Sequence, residues 1–157
     1  MSDDLEDSLM RVARDLLVDV DPTTTEARRR RAVSTAYYAV FHAICRVCAD
    51  SLVGTRDAAH REAIYRTVEH NSARKHLTSA KVRDISPWME QIGGNFADLQ
   101  IGRHKADYRP GTADTLSDEQ TRTLLELADR VLFALDLLND DQRLAMAVLL
   151  ISRPRPT

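Results

Sequence analysis

The chain has 157 residues, 43% hydrophobic and 29% charged, enough for one ordinary domain with a buried core and no disulfide staples. Only 5 glycines and 5 prolines exclude collagen-like and disordered classes and disfavour turn-rich all-β folds. With 22 bases against 24 acids, net charge makes no global case for nucleic acid, membrane or polyanion binding.

The charge is nevertheless unevenly spread. Residues 1–21 hold seven acids and two bases, and residues 22–109 hold nine acids and fifteen bases, so the basic excess is central. The N-terminus MSDDLEDSLM carries acids where a secretory signal needs bases, and the strongly apolar run near 145–151 is too short to span a bilayer. A cytoplasmic protein with no membrane association is expected.

Leu5, Leu9, Val12, Leu16 and Val20 recur at helical spacing and predict an amphipathic first helix ending before Asp21-Pro22. Thr23 and Glu26 form a capping-box pattern ahead of Val33, Tyr37, Val40, Phe41, Ile44, Cys48 and Leu52. That predicts a long second helix, roughly 40 Å at 1.5 Å per residue, stopped at Gly54. Cys45 and Cys48 lie inside it as small core residues, and two such neighbours cannot form a disulfide framework. With His42 they span an arc of about 120° on one helix face. A zinc site would need a fourth ligand, so no metal and no cofactor is expected.

Residues 57–70 predict a third, weaker helix through Ile64, Tyr65 and Val68, and 71–84 a polar, basic connection. Ser86-Pro87 supplies a cap and an N1 proline for a helix through Trp88, Ile92, Phe96 and Leu99. Gly93-Gly94 is placed to bend or break it, and Arg109-Pro110-Gly111 to close it. Leu116-Ser117-Asp118-Glu119-Gln120 combines an apolar N′ residue, a serine cap and glutamine at N3 before Leu124, Leu127, Val131, Leu135 and Leu138. A last helix over 142–151 is apolar on most sides, which predicts burial or a subunit contact. A single domain over 1–152 with a frayed tail from 153 is expected.

The chain has no glycine-rich phosphate loop, G-x-S-x-G elbow or H-E-x-x-H pair. Two basic clusters stand out instead. Arg28, Arg29, Arg30 and Arg31 crowd the first turns of a helix, where cations oppose the macrodipole. Four consecutive positions sweep about 300°, so one or two must point to neighbours or a cleft, and phosphate contact competes with solvation plus one structural ion pair. The second cluster is Arg103-His104-Lys105-Ala106-Asp107-Tyr108-Arg109. Metal-free RNA cleavage needs a base for the 2′-hydroxyl proton, an acid for the leaving 5′-oxygen and a cation for the phosphoryl charge. Histidine and arginine supply all three. The bland alternative is an i, i+4 ion pair of Arg103 with Asp107, with Tyr108 covering the core.

Ser34-Thr35-Ala36-Tyr37-Tyr38-Ala39-Val40-Phe41-His42-Ala43 resembles the S-x-A-Y-Y-A-x-F-H-A signature of HEPN domains. Arg103-His104-Lys105-Ala106-Asp107-Tyr108 is similar to the R-x-x-A-D-Y element of the same family, and the resemblance covers residues 26–138. It implies an all-α, up-and-down bundle of four to five helices, commonly a homodimer, in a family rich in metal-independent ribonucleases of toxin-antitoxin and defence systems. Catalytic members carry R-x4-6-H. Here no arginine is followed by histidine at that spacing, and Tyr108 stands at the matching distance from Arg103. The resemblance therefore implies a catalytic set of Arg103, Tyr108 and His104, with Arg28, Arg29, Arg30, Arg31, Lys105 and Arg109 on nucleic acid. Ser34, Tyr37, Tyr38 and His42 would line the cleft. The rival it implies is a noncatalytic module that dimerises and binds a nucleotide or a nucleotidyltransferase-type partner.

Overall fold

The computed structural model describes residues 4–110, 115–153 and 155–156, and Gly111 of the expected closing turn lies outside them. Among the described residues the chain is all-helical, as composition implies. Seven α-helices run α1 (Leu5–Asp15), α2 (Thr25–Leu52), α3 (Ala58–Thr67), α4 (His70–Leu77), α5 (Pro87–Tyr108), α6 (Asp118–Leu137) and α7 (Asp140–Ile151), with 3-10 turns at Pro22–Thr24 and Ala80–Asp84. They form two compact units, one of Met1–His42 with Asn95–Leu132, the other of Ala43–Gly94 with Phe133–Thr157.

In the first unit, α1 buries Glu6, Met10 and Ala13, while Leu5 and Val12 stay half exposed. The packed face is thus turned one position, about 100°, from the expected leucine and valine stripe. The helix also ends at Asp15, not before Asp21. Val18 N bonds back to Asp15 O in a tight i→i−3 turn, and Asp19 adopts a left-handed φ of 47°, which halts propagation. Asp21, not Thr23, is the cap that follows: its carboxylate accepts from Thr23 N and Thr23 Oγ1, each at 2.8 Å, and starts the 3-10 turn leading into α2. Glu26 is drawn instead to Arg30 at 2.8 Å.

Tyr37 of α2 is fully buried and packs on Phe96 of α5 with ring centroids 5.6 Å apart. Further along α5, a Cβ added to Gly102 would lie 2.7 Å from the Leu124 side chain, so glycine permits close approach to α6. The α6 capping box forms as expected: Ser117 Oγ accepts from Gln120 N and Gln120 Oε1 accepts from Ser117 N, both at 3.0 Å. By length and composition α2 is also apolar enough to cross a membrane, contrary to the expectation that no run is; 72% of its most apolar window is buried within protein, as in a core helix.

In the second unit, Gly54 terminates α2 with φ 74° and its N–H on Ala49 O at 3.1 Å, the left-handed C-terminal geometry that glycine adopts without strain. Asp57 caps α3 through Ala59 N at 2.9 Å. The expected polar connection at 71–84 contains α4, which buries only Ala73 and Leu77. Two apolar anchors at i, i+4 are too few to reveal a helix by periodicity. Gly93-Gly94 does not break α5. A Cβ at Gly93 would meet Leu77 O at 2.0 Å, so Gly93 is a contact point between α5 and the end of α4. α7 starts at Asp140, earlier than expected, because Asn139 and Gln142 form a second capping box. Burial pushes the thiols of Cys45 and Cys48 up to about 12.

Candidate functional site

The sequence cluster on α5 and the signature on α2 meet in the first unit around Arg103. Its guanidinium carbon lies 5.3 Å from the Tyr37 ring centroid, 5.5 Å from Tyr38 and 5.6 Å from Tyr108, so three tyrosines surround one cation. Arg103 Nη2 donates to Tyr38 Oη at 3.0 Å. Its Nε lies 2.8 Å from Asp107 Oδ2, a charge contact without aligned hydrogen-bond geometry. Nη1 is left with no hydrogen-bond partner among the described residues. The Arg103 side chain is 15% exposed, and burial works against its charge; Tyr38, Asp107 and Tyr108 more than offset that, and its pKa stands above the ordinary arginine value. It is cationic at every accessible pH.

Asp107 is itself positioned from α2. Buried Ser34 donates from Oγ to Asp107 Oδ2 at 3.3 Å, the oxygen that faces Arg103. The i, i+4 pairing of Arg103 with Asp107 was readable from spacing; the link to Ser34 crosses 73 positions and was not. Phe41 stacks on Tyr37 at 6.4 Å and Tyr38 meets Tyr37 edge-on at 5.7 Å, so the first aromatic of the signature is held by the second and the third.

Tyr108 is 61% exposed and does not cover the core. It reaches Arg103 while α5 stays helical through Tyr108, because the long arginine side chain closes the gap left by a five-residue separation. His104 is exposed and packs on Tyr108 with centroids 4.9 Å apart, so among the described residues it joins the site through the phenol ring. His42 is half-buried on α2.

The arginine run divides by function. Arg29 Nη1 donates to Leu116 O at 3.2 Å. Arg30 Nη1 lies on the carbonyls of Lys105, Ala106 and Arg109 at 3.3, 2.9 and 2.7 Å. Arg30, a cation that opposes the dipole of α2, therefore serves the C-terminal end of α5, where orphan carbonyls and the dipole favour it, while Arg29 holds a carbonyl just ahead of α6. Arg28 donates to Thr24 Oγ1 at 3.2 Å, and Arg31 is exposed. Arg29 and Arg30 are occupied by protein carbonyls; Arg31, Lys105 and Arg109 stand at or near the surface by the same helix end. Among the described residues no group of histidine, cysteine or carboxylate side chains is arranged to hold a metal.

Set against protein-family models, curated proteins and solved structures, the chain matches none of them.

Proposed function

We propose that this chain is a HEPN-like, RNA-associated helical protein of toxin or defence type, acting as a homodimer in the cytoplasm, whose Arg103 site engages a phosphodiester and retains a degenerate metal-independent ribonuclease chemistry. The observation that carries this reading is the Arg103 guanidinium: two of its nitrogens are oriented by Tyr38 and Asp107, and Nη1 remains to bind a phosphoryl oxygen. In the reaction, the 2′-hydroxyl oxygen attacks phosphorus and the bond to the 5′-oxygen breaks. The 2′-proton passes to a base and the leaving oxygen takes one from an acid, giving a 2′,3′-cyclic phosphate and a 5′-hydroxyl. His104 brings the site's imidazole, the side-chain type best suited to proton transfer in such a reaction; a phenol is by nature a poor base, so cleavage is slow.

The 2.8 Å contact of Asp107 with Arg103 favours a second reading, in which the cation is already compensated and the module binds a nucleotide or a nucleotidyltransferase-type partner without cleaving. One experiment separates them. Wild type and Arg103→Ala are incubated with labelled single-stranded RNA in EDTA, following binding by anisotropy and products on a gel. Binding with slow cleavage to cyclic-phosphate ends, both lost in Arg103→Ala, is the expected result. Binding without cleavage selects the noncatalytic reading, and no binding at low salt overturns the RNA assignment.

A further inference from the structure

In the second unit an open groove of about 590 Å³ lies between α7 and the segment that runs from α4 into the 3-10 turn Ala80–Asp84. Its apolar lining is Ile85 on one side and Ala145, Val148 and Leu149 on the other. These three α7 residues fall at i, i+3 and i+4 and so share one face, distinct from the Met146, Ala147 and Leu150 face that enters the core. Val148 is 49% exposed, and Leu144, one turn earlier, is 43% exposed. The second unit thus leaves an apolar helix face uncovered.

Charge defines what fits there. His76 and Lys81 stand on one wall and Arg153 on the other, and no carboxylate lines the groove. Glu69 meets Arg153 at 3.5 Å from outside the lining, while His76 and Lys81 form no ion pair among the described residues. Residues 70–83 carry four lysines and arginines and no acid. An open apolar trough walled by helical segments and rimmed by cations has the form of a helix-in-groove site for an acidic ligand.

We propose that this groove docks one amphipathic helix of a partner polypeptide, with apolar side chains at i, i+3, i+4 and i+7 flanked by aspartate and glutamate. The apolar stripe lies on Val148 and Leu149, and the acidic flanks meet Lys81 and Arg153. This surface is independent of the RNA reading and uses none of its residues.

The test uses the full chain and three labelled peptides: an amphipathic helix with leucines on one face and glutamates beside them, its twin with lysines for the glutamates, and a scrambled glutamate peptide. At low ionic strength the glutamate helix binds about tenfold or more tighter than either control and weakens as salt is added. Val148→Asp, at an exposed position, lowers that affinity about tenfold, and Lys81→Glu with Arg153→Glu reverses the preference toward the lysine twin. Equal binding of the two helices, or unchanged binding by Val148→Asp, overturns the proposal. Binding of phosphatidylglycerol vesicles but not of the peptide reassigns the groove to a lipid surface. A concentration-dependent doubling of mass that Val148→Asp abolishes, with no peptide bound, reassigns it to a second copy; either result overturns the proposal.

Discussion

Arg30 donates from Nη1 to the carbonyl oxygen of Arg109 at 2.7 Å, so a cation from the first turns of α2 closes the last turn of α5. The same nitrogen reaches Ala106 O at 2.9 Å, and Nε is held by Glu26 at 2.8 Å. A helix end that would otherwise present bare carbonyls beside Arg103 is fixed by a side chain anchored on another helix.

Arg30→Met removes those donors while keeping much of the aliphatic stem. It lowers stability by about 1.5–3 kcal/mol, the range for hydrogen bonds to a charged group. Arg31→Met, at an exposed neighbour, stays within about 0.5 kcal/mol. Urea midpoints at unchanged m-value measure both. Equal effects at the two positions refute the division of the arginine run.

Adjacent glycines respond with opposite sign. Gly93→Ala places a Cβ at 2.0 Å from Leu77 O, a backbone atom that cannot swing aside, and costs about 1–3 kcal/mol or more. Gly94→Ala meets nothing within 4 Å in a helical position and gains roughly 0.5–1 kcal/mol from backbone entropy. Thermal melts of the two variants check the pair.

Three surface carboxylates make stability fall in acid. His60 beside Asp57, the Arg122 side chain on Asp118 and the Thr23 amide on Asp21 each hold a carboxyl below its usual range. A depressed folded pKa means the unfolded chain binds the proton first. The contribution is therefore complete above about pH 4, near the unfolded value, and is lost as pH falls through the lower folded values. Urea midpoints measured from neutral pH into acid drop over that window, and Asp57→Asn flattens the drop.

On the ribonuclease reading, Tyr108→His raises metal-free RNA cleavage and brings its pH optimum toward neutrality, because imidazole titrates there and the phenol does not. Tyr108→Phe lowers cleavage. Single-turnover rates across pH decide the order. A phenylalanine variant as active as wild type, beside a histidine variant no better, makes Tyr108 packing rather than chemistry.

Local signals proved readable wherever one short window contained the whole device. Ser117 with Gln120 starts α6, Ser86-Pro87 starts α5, and Gly54 ends α2, because each depends on contacts within a few residues. The first helix departs from its apolar stripe in face and in end, since burial of Met10 over Val12 is decided by what packs on it. At the site, spacing exposes the Arg103 and Asp107 pair, whereas Ser34 on Asp107 and Arg30 on Arg109 join residues more than seventy positions apart. No local pattern encodes those. α4 hid because a helix of eight residues with two buried positions leaves almost no periodic trace.

The thiols of Cys45 and Cys48, pushed up to about 12 by burial, give the molecule a built-in clock. Burial keeps both thiols protonated at neutral pH, and the thiolate is the form that alkylating reagents attack. Uptake of iodoacetamide by the native chain then counts the moments when α2 parts from its surroundings. With no other cysteine in the sequence, that opening can be timed on the unaltered protein without introducing a probe.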